Sequence, residues 1–240
     1  MEYRTKAMDL WYRQLPGALI AEKERKLLDQ LLPQIPGQFL VQIGGPSDLN
    51  LVESSPIQAK YYMSCECVPG GFDTRVQLNL QCLPLVPHSI DVIVIAHLLG
   101  FSQDPYCLLE EAFHSLKPGG SLFVLGFNKL GMWSFERYLR GRKGYPWAGK
   151  FQSALTVKRW LRHFGCSIVL SKTLCFLPPL EERPAKKWVE ASDSIGSTCF
   201  PGMGSVYFVN AVKRKVGGHL LLADWLRRRV SIKSSVVEPT

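Results

Sequence analysis

SIDVIVIAHLLGFSQDPYCLLEEAFHSLKPGGSLFVLGF, residues 89–127, decides how the chain folds. Asp91 to Ala96 is a continuous apolar run rich in β-branched residues, the pattern of a strand buried on both faces, as in a parallel sheet. A helix start follows. Asp104 can accept from free backbone N–H groups, and Pro105 suits the first helical position because its missing N–H would have no partner there. Leu108, Leu109, Ala112, Phe113 and Leu116 then fall on one helical face. Lys117 is expected in the last turn, against the negative end of the helix dipole, with Pro118-Gly119-Gly120 turning the chain. Ser121 to Phe127 is a second apolar strand, so the unit is a right-handed βαβ crossover.

Upstream, Phe39 to Ile43 is a further apolar strand, followed by Gly44-Gly45-Pro46-Ser47-Asp48. The spans 39–43, 91–96 and 121–127 are predicted to be central and parallel, with 91–96 beside 39–43. Any helix near 48–54 has two turns at most. Residues 57–65 alternate apolar and polar and predict a half-buried strand. Residues 66–74 hold Pro69-Gly70-Gly71, a turn signal in a stretch too short for a usual crossover helix, so 57–65 and 75–80 can pair as an antiparallel hairpin rather than in parallel, and the sequence leaves the direction open. Before all this, 8–32 reads as two helices separated by Pro16-Gly17. Beyond the core, Thr156 to Phe164 is a helix with Thr156 as its cap, 167–177 and 204–212 are strand-like, and 184–195 is helical.

Composition narrows the class. The content is 46% hydrophobic, with no apolar run long enough to span a bilayer and no apolar signal core in MEYRTKAMDLWYRQ. Seven cysteines without a CxxC pair read as thiols in a reducing cytoplasm. The five histidines are scattered without metal-ligand spacing, so no metal site is expected. The net charge of +9 is uneven: residues 129–162 carry nine Lys or Arg and one acid, Glu136. Such asymmetry suggests an anionic partner, and an exposed basic face is the plain alternative. Trp133, Phe135, Tyr138, Tyr145, Trp147, Phe151 and Trp160 are interleaved with those charges. They can stack bases, which makes RNA a candidate partner, or they can pack a lid under snorkelling basic stems. The lid is expected to be a cationic, mobile cover.

Residues 91–97, DVIVIAH, a helix, then 116–120, LKPGG, and an apolar strand resemble the fourth and fifth strands of class I S-adenosylmethionine-dependent methyltransferases, the type-11 domain group in particular. The resemblance covers roughly residues 35–215 and is similar to a YafS-type bacterial branch. It implies an α/β Rossmann-like fold: a mostly parallel sheet, an antiparallel C-terminal strand pair, and here a shortened half from the first to the third strand. It also implies a domain over 1–216, with a helical cover at 1–36 and a basic aromatic lid at 129–162, before a basic tail at 217–240. His219–Arg229 in that tail reads as a short amphipathic helix or a loosely ordered segment.

By the same resemblance, Gln42, Gly44, Gly45, Asn79, Ala96 and His97 would surround S-adenosylmethionine, with Glu66 as the acid for the ribose. The family's loop has an acid before G-x-G-x-G. Here Gln42 replaces the acid, Pro46 the second glycine and Asp48 the third. Cofactor binding is therefore expected to be weak. His97 ends the fourth strand, at the edge where ligands of open α/β sheets bind. A packed or capping histidine is the competing reading. The expected function is a cytoplasmic methyltransferase of unknown acceptor, and its rival is a non-catalytic binding module that lost the cofactor.

Overall fold

In the computed structural model, β4 (Ile90–Ala96) lies inside a seven-stranded sheet between β1 (Phe39–Gly44) and β5 (Leu116–Phe127), all three parallel. On the β1 side follow β2 (Ala59–Ser64) and β3 (Thr74–Gln77), also parallel. On the β5 side, β7 (Val206–Lys213) runs antiparallel to β5, and β6 (Cys166–Leu174) antiparallel to β7. The order is β3-β2-β1-β4-β5-β7-β6. The structure describes residues 5–47, 49–65, 74–77, 83–141, 144–176 and 186–214. The boundary drawn between domain and tail at 216, and the amphipathic segment 219–229, lie outside them.

The sheet is central because β4 feeds two cores at once. Its alternate residues Ile93 and Ile95 enter one apolar cluster, and Val92, Val94 and Ala96 enter the other. The first cluster takes Leu108, Leu109 and Ala112 of α3 (Pro105–Ser115) and Val157 and Leu161 of α5 (Ala154–His163). The second takes Leu28 and Leu31 of α2 (Gly17–Leu31), plus Leu51, Val52 and Ile57 from the β1–β2 connection. That connection is built of turns at 51–54, so the shortened half is real, and α2 lends its apolar face to the second core. α1 (Thr5–Arg13) reaches the first cluster through Met8 and Tyr12. Gly17 joins it to α2, at a point where a Cβ would stand 2.3 Å from the Trp11 carbonyl oxygen. α4 (Met132–Arg140) follows β5, and α6 (Lys186–Cys199) lies between β6 and β7. Among the described residues no helix is long and apolar enough to cross a membrane.

Four local expectations are corrected. In the segment at 75–80 the described part, within β3, pairs with β2 in parallel, not as the antiparallel hairpin the short turn allowed, through the register Tyr61↔Thr74 to Ser64↔Gln77, and 78–80 lie outside the described residues. The length argument assumed an ordinary strand. β3 has four residues, so the return path is only about 13 Å, within reach of the chain between the two strands. Burial along β2 does not alternate: Tyr62 and Met63 are both buried, on opposite faces, because β2 is itself an inner strand. The helix after Asp104 ends at Ser115, and β5 already begins at Leu116. Residues between Leu116 and Ser121 bulge out of the ladder, since Leu116 pairs with Ile90 and Ser121 with Val92. Lys117 therefore leaves the dipole position, and Lys213 of β7 takes it, donating to the carbonyls of Phe113 (2.7 Å) and Leu116 (2.8 Å). Finally, α5 is capped by Ser153, whose hydroxyl accepts from the Thr156 N–H at 3.1 Å. Thr156 itself is the third helical residue.

Candidate functional site

The carboxyl ends of β1 and β4 lie side by side, with Gly44 opposite Ala96. In an open parallel sheet this edge leaves backbone groups unpaired and forms a crevice. Gly44 and Gly45 leave β1 in the left-handed region, at φ 71° and 82°. A Cβ on Gly45 would meet the Ala96 Cβ at 2.9 Å and the Gln42 Nε2 at 3.2 Å, so only glycine fits. Gln42 is fully buried; its Nε2 donates to the Gly44 carbonyl at 3.1 Å and its Oε1 has no partner. The Tyr62 hydroxyl, from β2, donates to the Gly45 carbonyl at 2.8 Å and holds the turn from the other side.

His97 follows β4 in the left-handed region, φ 55°, and its N–H still donates to Leu125 of β5 at 2.9 Å. A histidine held in that conformation costs energy unless its surroundings fix it. They do. The imidazole is buried and lies 4.6 Å from the Phe127 ring centroid and 5.6 Å from that of Tyr12. Its Nε2 donates to Glu24 Oε1 of α2 at 2.7 Å, with both side chains fully buried. Two atoms of this pair, His97 Nδ1 and Glu24 Oε2, have no partner.

The helical preface closes directly on this edge. Asp9 of α1 accepts from both the N–H and the hydroxyl of Ser47, at 2.7 and 2.6 Å. Because Pro46 has no N–H, Ser47 supplies the first donor after Gly45, and Asp9 takes it. α2 is anchored on both flanks by ion pairs of Lys23 with Asp193 and of Arg25 with Glu53. Between the preface and the loop a cleft of about 430 Å³ remains, lined by Asp9, Tyr12, Arg13, Ala21, Arg25 and Pro46.

Within 129–162, Trp133, Trp147 and Phe151 are buried and pack against this edge, whereas Phe135 is exposed. Trp133 stacks on Phe127 (6.2 Å, 21°), and Tyr145 stacks on Phe101 (5.4 Å, 10°). Trp11 of α1 joins through edge contacts with Phe127, Trp133 and Tyr145. Arg137 donates to the Gly149 carbonyl at 2.6 Å and lies 5.6 Å from the Phe151 ring. The Lys150 N–H donates to the Gly100 carbonyl at 2.6 Å, tying the lid to the loop after β4. Burial, and then the Glu24 charge, push the Tyr145 hydroxyl well above its ordinary pKa. A second cleft, about 620 Å³, opens past the end of β5 and includes Leu130, Leu155, Lys158, Lys172 and Met203.

Of the residues expected around a cofactor, Gln42, Gly44, Gly45, Ala96 and His97 thus meet at one crevice. Asn79 and Glu66 lie outside the described residues. Glu24, Asp9 and Tyr62 were not anticipated. A signal for Glu24 existed: it continues the apolar stripe Gly17, Ile20, Ala21, Leu28, Leu31 of α2, where a carboxylate has no reason to be unless it meets something polar.

Residues 57–124 match a family model described as a methyltransferase domain. Uncharacterized protein YafS of Escherichia coli is 23% identical over 211 residues, spanning 88% of this chain and 82% of its own. The ubiquinone/menaquinone biosynthesis C-methyltransferase UbiE of Pseudoalteromonas translucida is 42% identical over 60 residues, about a quarter of each chain. Among solved structures, an S-adenosylmethionine-dependent methyltransferase from Thermotoga maritima superposes with a TM-score of 0.58 at 20% identity, covering 82% of this chain and 90% of that one. The chain therefore has the class I S-adenosylmethionine-dependent methyltransferase fold, matches a methyltransferase-domain model over residues 57–124, and resembles YafS along most of its length.

Proposed function

We propose that the protein is an S-adenosylmethionine-dependent methyltransferase whose cofactor rests in the crevice between the carboxyl ends of β1 and β4. The observation that carries this reading is the left-handed Gly44-Gly45 turn beside the buried, unpartnered Gln42 Oε1 and His97 Nδ1. Those atoms suit a polar ligand, since leaving a buried polar group unpaired costs about 1–3 kcal/mol. When bound, the cofactor supplies a methyl group on an already electrophilic sulfonium. The chain's task is then to bind, align and keep water out. Gly44 and Gly45 let the backbone approach closely, and Ala96 leaves room beside them. Phe127, Trp133 and Tyr145 form a dry wall over the same edge. Asn79 would complete the site on the adenine side. The acceptor is not assigned; the cleft past β5, shaped in part by Leu130, Leu155 and Lys158, is offered as its place. A cytoplasmic location belongs to the same reading, and the described cysteines are free thiols.

Calorimetric titration with S-adenosylmethionine tests the proposal, with ATP as a control for nonspecific anion binding. Saturable heat with the first and none with the second is expected. Silence with both would favour a binding module that kept the fold and lost the cofactor, for which Pro46 and the Asp9 contact with Ser47 speak.

The basic charge of 129–162 supports an anionic partner, RNA included. Burial of Trp133, Trp147 and Phe151 removes those three rings from base stacking, while Phe135 is exposed. If RNA binds, its affinity for a single strand falls steeply with salt, and Arg140, Arg142 and Lys143 changed together to Ala flatten that slope. Absence of binding at low salt removes RNA from consideration.

A further inference from the structure

A cofactor bearing an ammonium and a sulfonium brings two cations into a crevice that excludes water, and a buried cation needs a nearby anion. Among the described residues the ends of β1 and β4 supply none: Gln42, Gly44, Gly45, Ala96 and His97 carry no carboxylate. Two carboxylates enter from the helical preface. Both oxygens of Asp9 are taken by Ser47. Glu24 is different. One oxygen accepts from His97 Nε2, and the other, in a side chain with no exposure, has no partner. His97 is the residue after Ala96, which is paired with Gly44 and lies against Gly45.

Resting on the cofactor reading above, we infer that Glu24 is the anionic ligand for the cationic amino-acid end of S-adenosylmethionine. The charge missing from position 42 of β1 is returned by α2, from a residue 18 positions earlier in the chain. His97 acts as a positioning residue, since its imidazole fixes one Glu24 oxygen and leaves the other available. The N-terminal preface is on this account part of the binding site and not only its cover. Because α2 is tied to Asp193 and Glu53 by ion pairs, the carboxylate is presented from an anchored helix.

The test is calorimetry on the full chain and on Glu24→Gln, each titrated with S-adenosylhomocysteine and with adenosine, which shares one end of the ligand and lacks the other. Glu24→Gln keeps the shape and a hydrogen bond to His97 but removes the charge. The expected result is a loss of about 10- to 100-fold in affinity for S-adenosylhomocysteine, as for one charge-assisted hydrogen bond, with adenosine affinity unchanged. An equal loss for both ligands, or no loss for either, overturns the assignment of Glu24 while leaving the methyltransferase reading intact. Failure of the unaltered chain to bind either ligand overturns both. Should Glu24→Gln fail to fold, Glu24→Asp replaces it: the charge stays but retracts by one carbon, and the same selective loss, several-fold in size, is expected.

Discussion

Glu24 and His97 form a buried pair whose two members come from opposite sides of the crevice. Removing one member of such a pair strands the other without compensation, which typically costs about 3–5 kcal/mol. Glu24→Ala is therefore expected to lower unfolding stability by that amount in urea melts, and a loss below about 1 kcal/mol would show that the contact does not form. His97 was legible because it ends an unmistakable buried strand. Gln42, Gly44, Gly45 and Ala96 were legible for the same reason: strand ends in a parallel sheet converge on one edge. Glu24, Asp9 and Tyr62 were not. The apolar stripe of α2 marks Glu24 as buried but not what it meets, and for Asp9 and Tyr62 the partner comes from another element that no local pattern names. The expected weakness of cofactor binding rests on Gln42 and on Pro46 and Asp48 in the loop, and the role proposed for Glu24 bears on the first of these only.

Strands and helices show the same division between local and nonlocal information. β1, β4 and β5 follow from apolar runs, and α3 from its Asp104-Pro105 start, where the Asp104 side chain accepts from Tyr106 and Cys107. The direction of β3 does not follow, because it depends on how short that strand is. The cation at the end of α3 does not either, since Lys213 arrives from the last strand. The amino edge of the sheet has its own fastener. Asp91, at the start of β4, accepts from the N–H groups of Gln38 and Phe39 at 2.9 and 3.0 Å and from Lys117 Nζ at 2.9 Å. Partial burial opposes its charge, but the Lys117 ammonium and those two N–H groups outweigh it and hold the carboxyl below its ordinary 3.8. A depressed carboxylate stabilises the fold fully above its ordinary value and loses that contribution as pH falls through the folded value. Asp91→Asn should thus cost on the order of 1 kcal/mol at neutral pH, and the gap from the unaltered protein should close in acid. A gap independent of pH would place the effect in packing and not in charge.

Among the described residues, three buried polar atoms without a partner, Gln42 Oε1, His97 Nδ1 and Glu24 Oε2, belong to the carboxyl edge, while the Asn210 amide of β7 stands apart from it. At the carboxyl edge the two-helix preface, the Gly44-Gly45 turn and the aromatic lid meet, while the β1–β2 connection is reduced to turns and α2 covers the second core in part. A chain built this way gains stability when a ligand fills that edge, because binding confined to the folded state raises the unfolding free energy. The deciding measurement is a thermal melt of the full chain with rising S-adenosylmethionine, beside an identical series with ATP. At about one hundred times the dissociation constant the gain is about 2.7 kcal/mol, or roughly 5–10 °C for a chain of this size. The account predicts a melting temperature that climbs with S-adenosylmethionine and stays level with ATP. A melting temperature that saturating S-adenosylmethionine leaves where ATP leaves it would contradict the account.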